Sequence, residues 1–138
     1  MTEKRTLNEL EATFNAATTD SGMKFNAETV DEEVLQIVVD DREEFPVFVT
    51  IDDAQILCVS NLWNQSEIRE GSENELNKIL LELNLPVPLS AFAITRGGQY
   101  SIFGSLAPTS IIDNVIREVE ALSDNTLSAI EEFSEYLQ

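Results

Sequence analysis

Between Glu33 and Trp63 the chain carries three short apolar runs: Val34-Leu35-Gln36-Ile37-Val38-Val39, Pro46-Val47-Phe48-Val49-Thr50-Ile51 and Gln55-Ile56-Leu57-Cys58-Val59-Ser60. Acidic turn residues separate them, Asp40-Asp41-Arg42-Glu43-Glu44 first and Asp52-Asp53 second. Runs of this length, rich in β-branched and aromatic residues and punctuated by turn formers, read as an antiparallel meander. Side chains alternate across a strand, so Phe45, Val47, Val49 and Ile51 share one face while Phe48 and Thr50 take the other. The first face calls for helices above it. The second is mixed, keeps Phe48, and suggests contact with another element or another subunit.

The flanks supply those helices. Thr6-Leu7-Asn8-Glu9 is a capping box, in which hydroxyl and carboxylate satisfy the free amides of a helix start, and Leu7, Leu10, Phe14 and Ala17 follow as one stripe. Met23 to Val30 fits a short strand or a loop. Asn64 to Gly71 reads as a loop, and Ser72-Glu73-Asn74-Glu75 repeats the capping-box spacing ahead of a helix from Glu73 to about Asn84, which Pro86 and Pro88 end. Ala91–Thr95 and Tyr100–Leu106 form a hairpin around Arg96-Gly97-Gly98-Gln99. From Ile112 on, apolar residues recur at spacings of three and four through Ile130, Phe133 and Leu137, which fits one helix to the carboxyl end. Ser123-Asp124-Asn125-Thr126, whose side chains compete for backbone hydrogen bonds, is where it could break. The expected fold is a single α+β domain over residues 1–138. Its antiparallel sheet has about five strands flanked by helices, in the order α-β-β-β-α-β-β-α.

Charge and composition narrow the function. There are 26 Asp and Glu against 8 Lys and Arg, a net charge of −18, so nucleic acids and anionic membranes are repelled. No run approaches the length of a membrane span, and Met1 to Thr6 lacks the apolar follow-on of a secretory signal, so direct membrane insertion is not expected. Cys58 is the only cysteine and sits inside a strand, which suits a reduced, cytoplasmic setting and a buried thiol.

Histidine is absent, which removes Ser-His-Asp and Cys-His chemistry and the usual ligands of catalytic zinc. Gly97-Gly98 is followed by a strand, unlike a phosphate loop. The acidic clusters Asp31-Glu32-Glu33, Asp40-Asp41 and Asp52-Asp53 lack the spacing and glycine of a calcium loop and read as solvated turns. No catalytic residue, metal or cofactor is therefore expected. A carboxylate- or Mg²⁺-dependent enzyme is one alternative, and a nucleic-acid mimic whose carboxylates copy phosphates is another. Neither has a diagnostic motif.

What the residues favour is a non-enzymatic, chaperone-like adaptor that binds a basic or amphipathic protein segment and forms a homodimer. The candidate partner-binding residues are Phe48 on the mixed face, Trp63 at the end of the third strand, and Ile130, Phe133 and Leu137 on the last stripe. Core packing is the plainer role for Trp63, and docking on the sheet the plainer role for the stripe.

Three segments carry a resemblance: Asn84-Leu85-Pro86-Val87-Pro88-Leu89-Ser90-Ala91-Phe92-Ala93-Ile94, Tyr100-Ser101-Ile102-Phe103-Gly104-Ser105-Leu106, and Ala121-Leu122-Ser123-Asp124-Asn125-Thr126-Leu127. In these the chain resembles the YjfI-like family of bacterial proteins, a likeness that rests on packing and turn residues and carries over no catalytic residue. It implies a link to envelope stress, with a phage-shock-protein-A-like protein as partner. The element order and acidity look like the type III secretion chaperone fold shared by YbjN, which implies dimerisation and the binding of client segments.

Overall fold

The computed structural model describes residues 3–138, so Met1 and Thr2, part of the signal-peptide reading, lie outside the described residues. The elements are α1 (Leu7–Ala16), β1 (Phe25–Asp31), β2 (Val34–Val39), β3 (Val47–Ile51), β4 (Ile56–Asn64), α2 (Glu73–Leu83), β5 (Ala91–Ile94), β6 (Gln99–Leu106) and α3 (Ile112–Glu132). Short 3-10 turns occupy Gln65–Glu67 and Ser134–Tyr136. All six strands join one antiparallel sheet in the order β1-β2-β3-β4-β6-β5. The α+β class and the meander are as the sequence implies. β1 adds a sixth strand where the sequence left a choice, because only Phe25 and Ala27 of its residues point into the core.

The three helices pack on one face of the sheet. Leu10 and Phe14 of α1 and Val115, Val119 and Leu122 of α3 meet Leu35, Ile37, Val39, Val47, Val49, Ile56, Cys58 and Ile102 in the main core. A second cluster gathers Leu76 and Leu80 of α2 with Trp63, Tyr100, Ala129 and Phe133. Leu62 and Phe92 touch both clusters. The rings of Trp63 and Phe133 lie 6.2 Å apart, and those of Trp63 and Tyr100 5.7 Å.

Local signals fare unevenly. Thr6 caps α1 as its spacing predicts, accepting from the Glu9 amide at 3.2 Å. Ser72 does not cap α2 through its side chain. The turn closed by the Ser72 amide on the Arg69 carbonyl brings Ser72 in already coiled, at φ −98° and ψ −9°, rather than in the extended shape a capping side chain requires.

α3 runs unbroken through Ser123-Asp124-Asn125-Thr126, because the first three of these poor helix formers are held by other parts of the fold and the fourth by its own helix. Arg42 in the β2–β3 turn donates to Ser123 Oγ at 3.0 Å and pairs with Asp124 at 2.7 Å. Asn125 donates to the Pro88 carbonyl and to Ser90 Oγ, and Thr126 Oγ1 donates back to the Leu122 carbonyl. The helix ends at Glu132, short of the carboxyl end expected for it. Beyond Phe133 the chain turns and lies along residues 66–69: Ile68 and Leu137 form a β-bridge, Arg69 N–H donates to the Tyr136 carbonyl, and Gln138 N–H donates to the Glu67 carbonyl.

Candidate protein-binding surface

Among the described residues one face of the sheet is left without a helix. Cross-strand register places Glu28, Gln36, Phe48, Val59, Phe103 and Ala91 in one row across all six strands. Thr50, Leu57 and Ser105 form a parallel row beside it. Phe48, Leu57, Val59 and Phe103 are partly buried, and none belongs to either core cluster. Their remaining cover comes from one another, as cross-strand neighbours on a pleated surface.

The edges of that sheet are closed at their centres. At the β1 edge, Asn15 Oδ1 accepts from the Ala27 amide at 2.7 Å and its Nδ2 donates to the Ala27 carbonyl at 2.9 Å. Glu11 accepts from the Thr29 amide at 2.8 Å. At the β5 edge, Asn84 Oδ1 accepts from the Phe92 amide at 2.7 Å. An incoming strand finds those groups already engaged, which leaves the open face as the larger offer to a partner.

The expected site residues separate. Phe48 sits in the centre of the open face. Trp63 and Phe133, each 2% exposed, are interior residues of the second cluster, so the surface-anchor expectation gives way to core packing for both. The β4 irregularity between Asn61 and Asn64 turns Trp63 inward. Ile130 and Leu137 are partly buried against the same cluster. No sequence signal separates an inward from an outward tryptophan at a strand end.

Two features were not singled out in the sequence. A groove of about 270 Å³ between α2 and β5 is lined by Leu80, Leu81, Phe92 and Ile94, with Leu81 70% exposed. Glu118 is only 5% exposed, and burial raises its carboxyl pKa above the usual range. It falls on the inward stripe of α3, three residues after Val115 and four before Leu122, and that position is the signal that could have found it.

The turn acids behave as solvated charges. Asp52 Oδ1 accepts from the amides of Ala54 and Gln55 to close its turn. Asp53 meets Lys4 at 2.7 Å, and that ammonium, as hydrogen-bond donor and as charge, lowers its pKa. Among the described residues no group of three or more Cys, Asp or Glu is placed to hold a metal ion. A recess of about 580 Å³, lined by Ser90, Phe103, Ser105, Asn114 and Glu118, holds the Glu118 carboxylate. Among the described residues no helix is long and apolar enough to cross a membrane.

Comparison with known proteins agrees with this architecture. The family described as "Uncharacterized protein conserved in bacteria (DUF2170)" matches residues 4–137. The protein YjfI of Escherichia coli K12 is 27% identical over 111 residues, covering 78% of this chain and 82% of YjfI. In structure the chain is similar to YbjN from E. coli, with a TM-score of 0.65 at 16% identity over 100% of this chain and 99% of that one. It is also similar to the Yersinia pestis type III secretion chaperone SycH in complex with a fragment of YscM2. There the TM-score is 0.50 at 16% identity, over 89% of this chain and 98% of that one. At such identities the likeness to solved structures is one of fold.

Proposed function

The chain belongs to the DUF2170 family of bacterial proteins, and from that premise we propose that it is a non-enzymatic adaptor that holds a basic, amphipathic segment of another protein. The observation that carries this reading is the uncovered row Phe48, Val59, Phe103 and Ala91 on a sheet whose two edges are closed at Ala27 and Phe92. An apolar strip of this kind, on a molecule of net charge −18, suits a segment with apolar residues on one side and Lys or Arg on the other. Long-range attraction would speed the encounter and the strip would hold the product. The chaperone SycH, with its bound protein fragment, supports the same direction by fold.

The proposal extends to a homodimer in the cytoplasm, and to a phage-shock-protein-A-like partner in envelope stress as the family resemblance implies. Phe48, with Ile130 and Leu137 at the outer margin of the second cluster, is the proposed contact set.

Affinity capture from bacterial lysate at low and high salt, using the wild type and Phe48→Asp, tests the reading. The expected result is a partner retained at low salt, released at high salt, and lost with Phe48→Asp while the fold persists by circular dichroism. Retention unaffected by both salt and Phe48→Asp would sink it. Light scattering at the same concentrations should give the mass of a dimer, and a strict monomer would remove that part.

A further inference from the structure

Resting on the adaptor reading, we infer that the recess where β6 runs past the start of β5 receives an arginine side chain from an extended segment of the partner, with Glu118 as its counter-charge. The sheet has a notch at this place. β5 pairs with β6 only as far as Ala91 opposite Phe103, so among the described residues Gly104 to Leu106 have β4 on one side and no strand on the other. The recess there has a volume of about 580 Å³.

The main chain of the notch is directed into it. In an antiparallel ladder successive residues turn their N–H and C=O to opposite sides. The Phe92 amide faces Asn84, away from β6, so Ala91 and Ala93 face Phe103 and Ser101. Ser105 continues on that side, where β5 has not yet begun. This is a length of edge that neither Asn15 nor Asn84 occupies, and an extended chain can pair with it.

Glu118 makes the recess selective. Glu118 as a residue is 5% exposed, lines the recess, and among the described residues its carboxylate enters no hydrogen bond or ion pair. It reaches the notch through Gly104: Glu118 Oε1 stands where a Cβ on that residue would be, so the glycine leaves the space the carboxylate fills. Arg117 lines the same recess but makes no ion pair with Glu118. A buried charge without a partner is costly, and a cation brought by a ligand removes that cost. Leu89, Phe103 and Leu106 offer apolar wall to an aliphatic stem. Guanidinium fits better than ammonium, being more weakly hydrated and carrying donors enough for Glu118 and for the oxygens of Ser90, Ser105 and Asn114.

The test is an amide NMR titration of the full chain with the peptide Ac-Thr-Val-Arg-Val-Thr-amide and with its citrulline counterpart, which keeps the shape and loses the charge. We expect saturable shifts at Ala91, Gly104 and Ser105, binding at least tenfold weaker for the citrulline peptide, and at least tenfold weaker for the arginine peptide on Glu118→Gln. Glu131→Gln, on the exposed side of α3, controls for bulk charge and should change little. Equal binding of both peptides, an unchanged affinity on Glu118→Gln, or the absence of saturable shifts overturns the assignment. Saturable shifts confined to Phe48 and Val59 overturn it too and leave the adaptor reading standing. Peptide binding at the notch without partner capture from lysate would instead sink the adaptor reading alone.

Discussion

Asn84 and Phe92 meet as one strand residue meets another: the side-chain amide takes the main-chain N–H of Phe92 at 2.7 Å, and its Nδ2 faces the Phe92 carbonyl at 3.4 Å. Asn15 does the same for Ala27 at the opposite edge. Each asparagine ends the sheet with a group that cannot propagate it.

Asn84→Ala and Asn15→Ala should therefore each cost about 1–3 kcal/mol in urea unfolding, because hydrogen bonds are lost and partly buried backbone groups are left without partners. The two losses should add, since the edges are far apart and share no partner. Light scattering on concentrated samples should also show growth of aggregates in the double variant that the wild type lacks. Stability unchanged in both variants would mean that water replaces the amides at no cost.

The Cys58 thiol should be inert in the native protein. Burial, reinforced by the nearby negative charge of Glu118, pushes its pKa up to about 12, and thiolate is the reactive form. Alkylation at pH 8 should be slow in buffer and should accelerate with urea in step with unfolding. Rapid native-state labelling would contradict the core position of β4.

Glu118 should make stability fall as pH rises. Burial raises its folded pKa above the ordinary value of 4.5, so the folded state holds the proton to higher pH than the unfolded state does. The contribution is fully present below pH 4.5 and is lost as pH climbs through the raised pKa. Glu118→Gln should thus be more stable than wild type at pH 8, with the gap narrowing toward pH 4. A constant difference across that range would show that the carboxyl is solvated in the native state.

Trp63 should report the second cluster alone, as the single tryptophan of the chain. Its native emission should be that of a buried indole. Trp63→Ala should cost about 3–5 kcal/mol, as for other large aromatic truncations. Trp63→Phe should cost much less, because among the described residues Nε1 has no hydrogen-bond partner to forfeit. Equal losses for the two variants would point to a partner for that nitrogen.

The meander and the final hairpin are legible in the sequence because their partners are neighbours in the chain and alternation fixes their faces. The insertion of β6 between β4 and β5 is not, since nothing local says which strand a hairpin joins to a distant sheet. β1 hides because its outer half, Glu28 to Asp31, faces solvent. The helix through Ser123 to Thr126 runs against propensity, and its support comes from Arg42, Pro88 and Ser90, residues remote in sequence. Of the candidate site, Phe48 could be placed by strand parity alone. Trp63 and Phe133 could not, because an aromatic residue that anchors a partner and one that fills a core look identical until the neighbours are known.

The bridge between Ile68 and Leu137 joins positions made far apart in time. During synthesis the meander can pair while the rest is still being translated, but the aromatic cluster around Trp63 must wait for Phe133 and Leu137 to clear the ribosome. Until then the nascent chain presents an unfinished apolar half, and a chain interrupted ahead of Phe133 would keep it open.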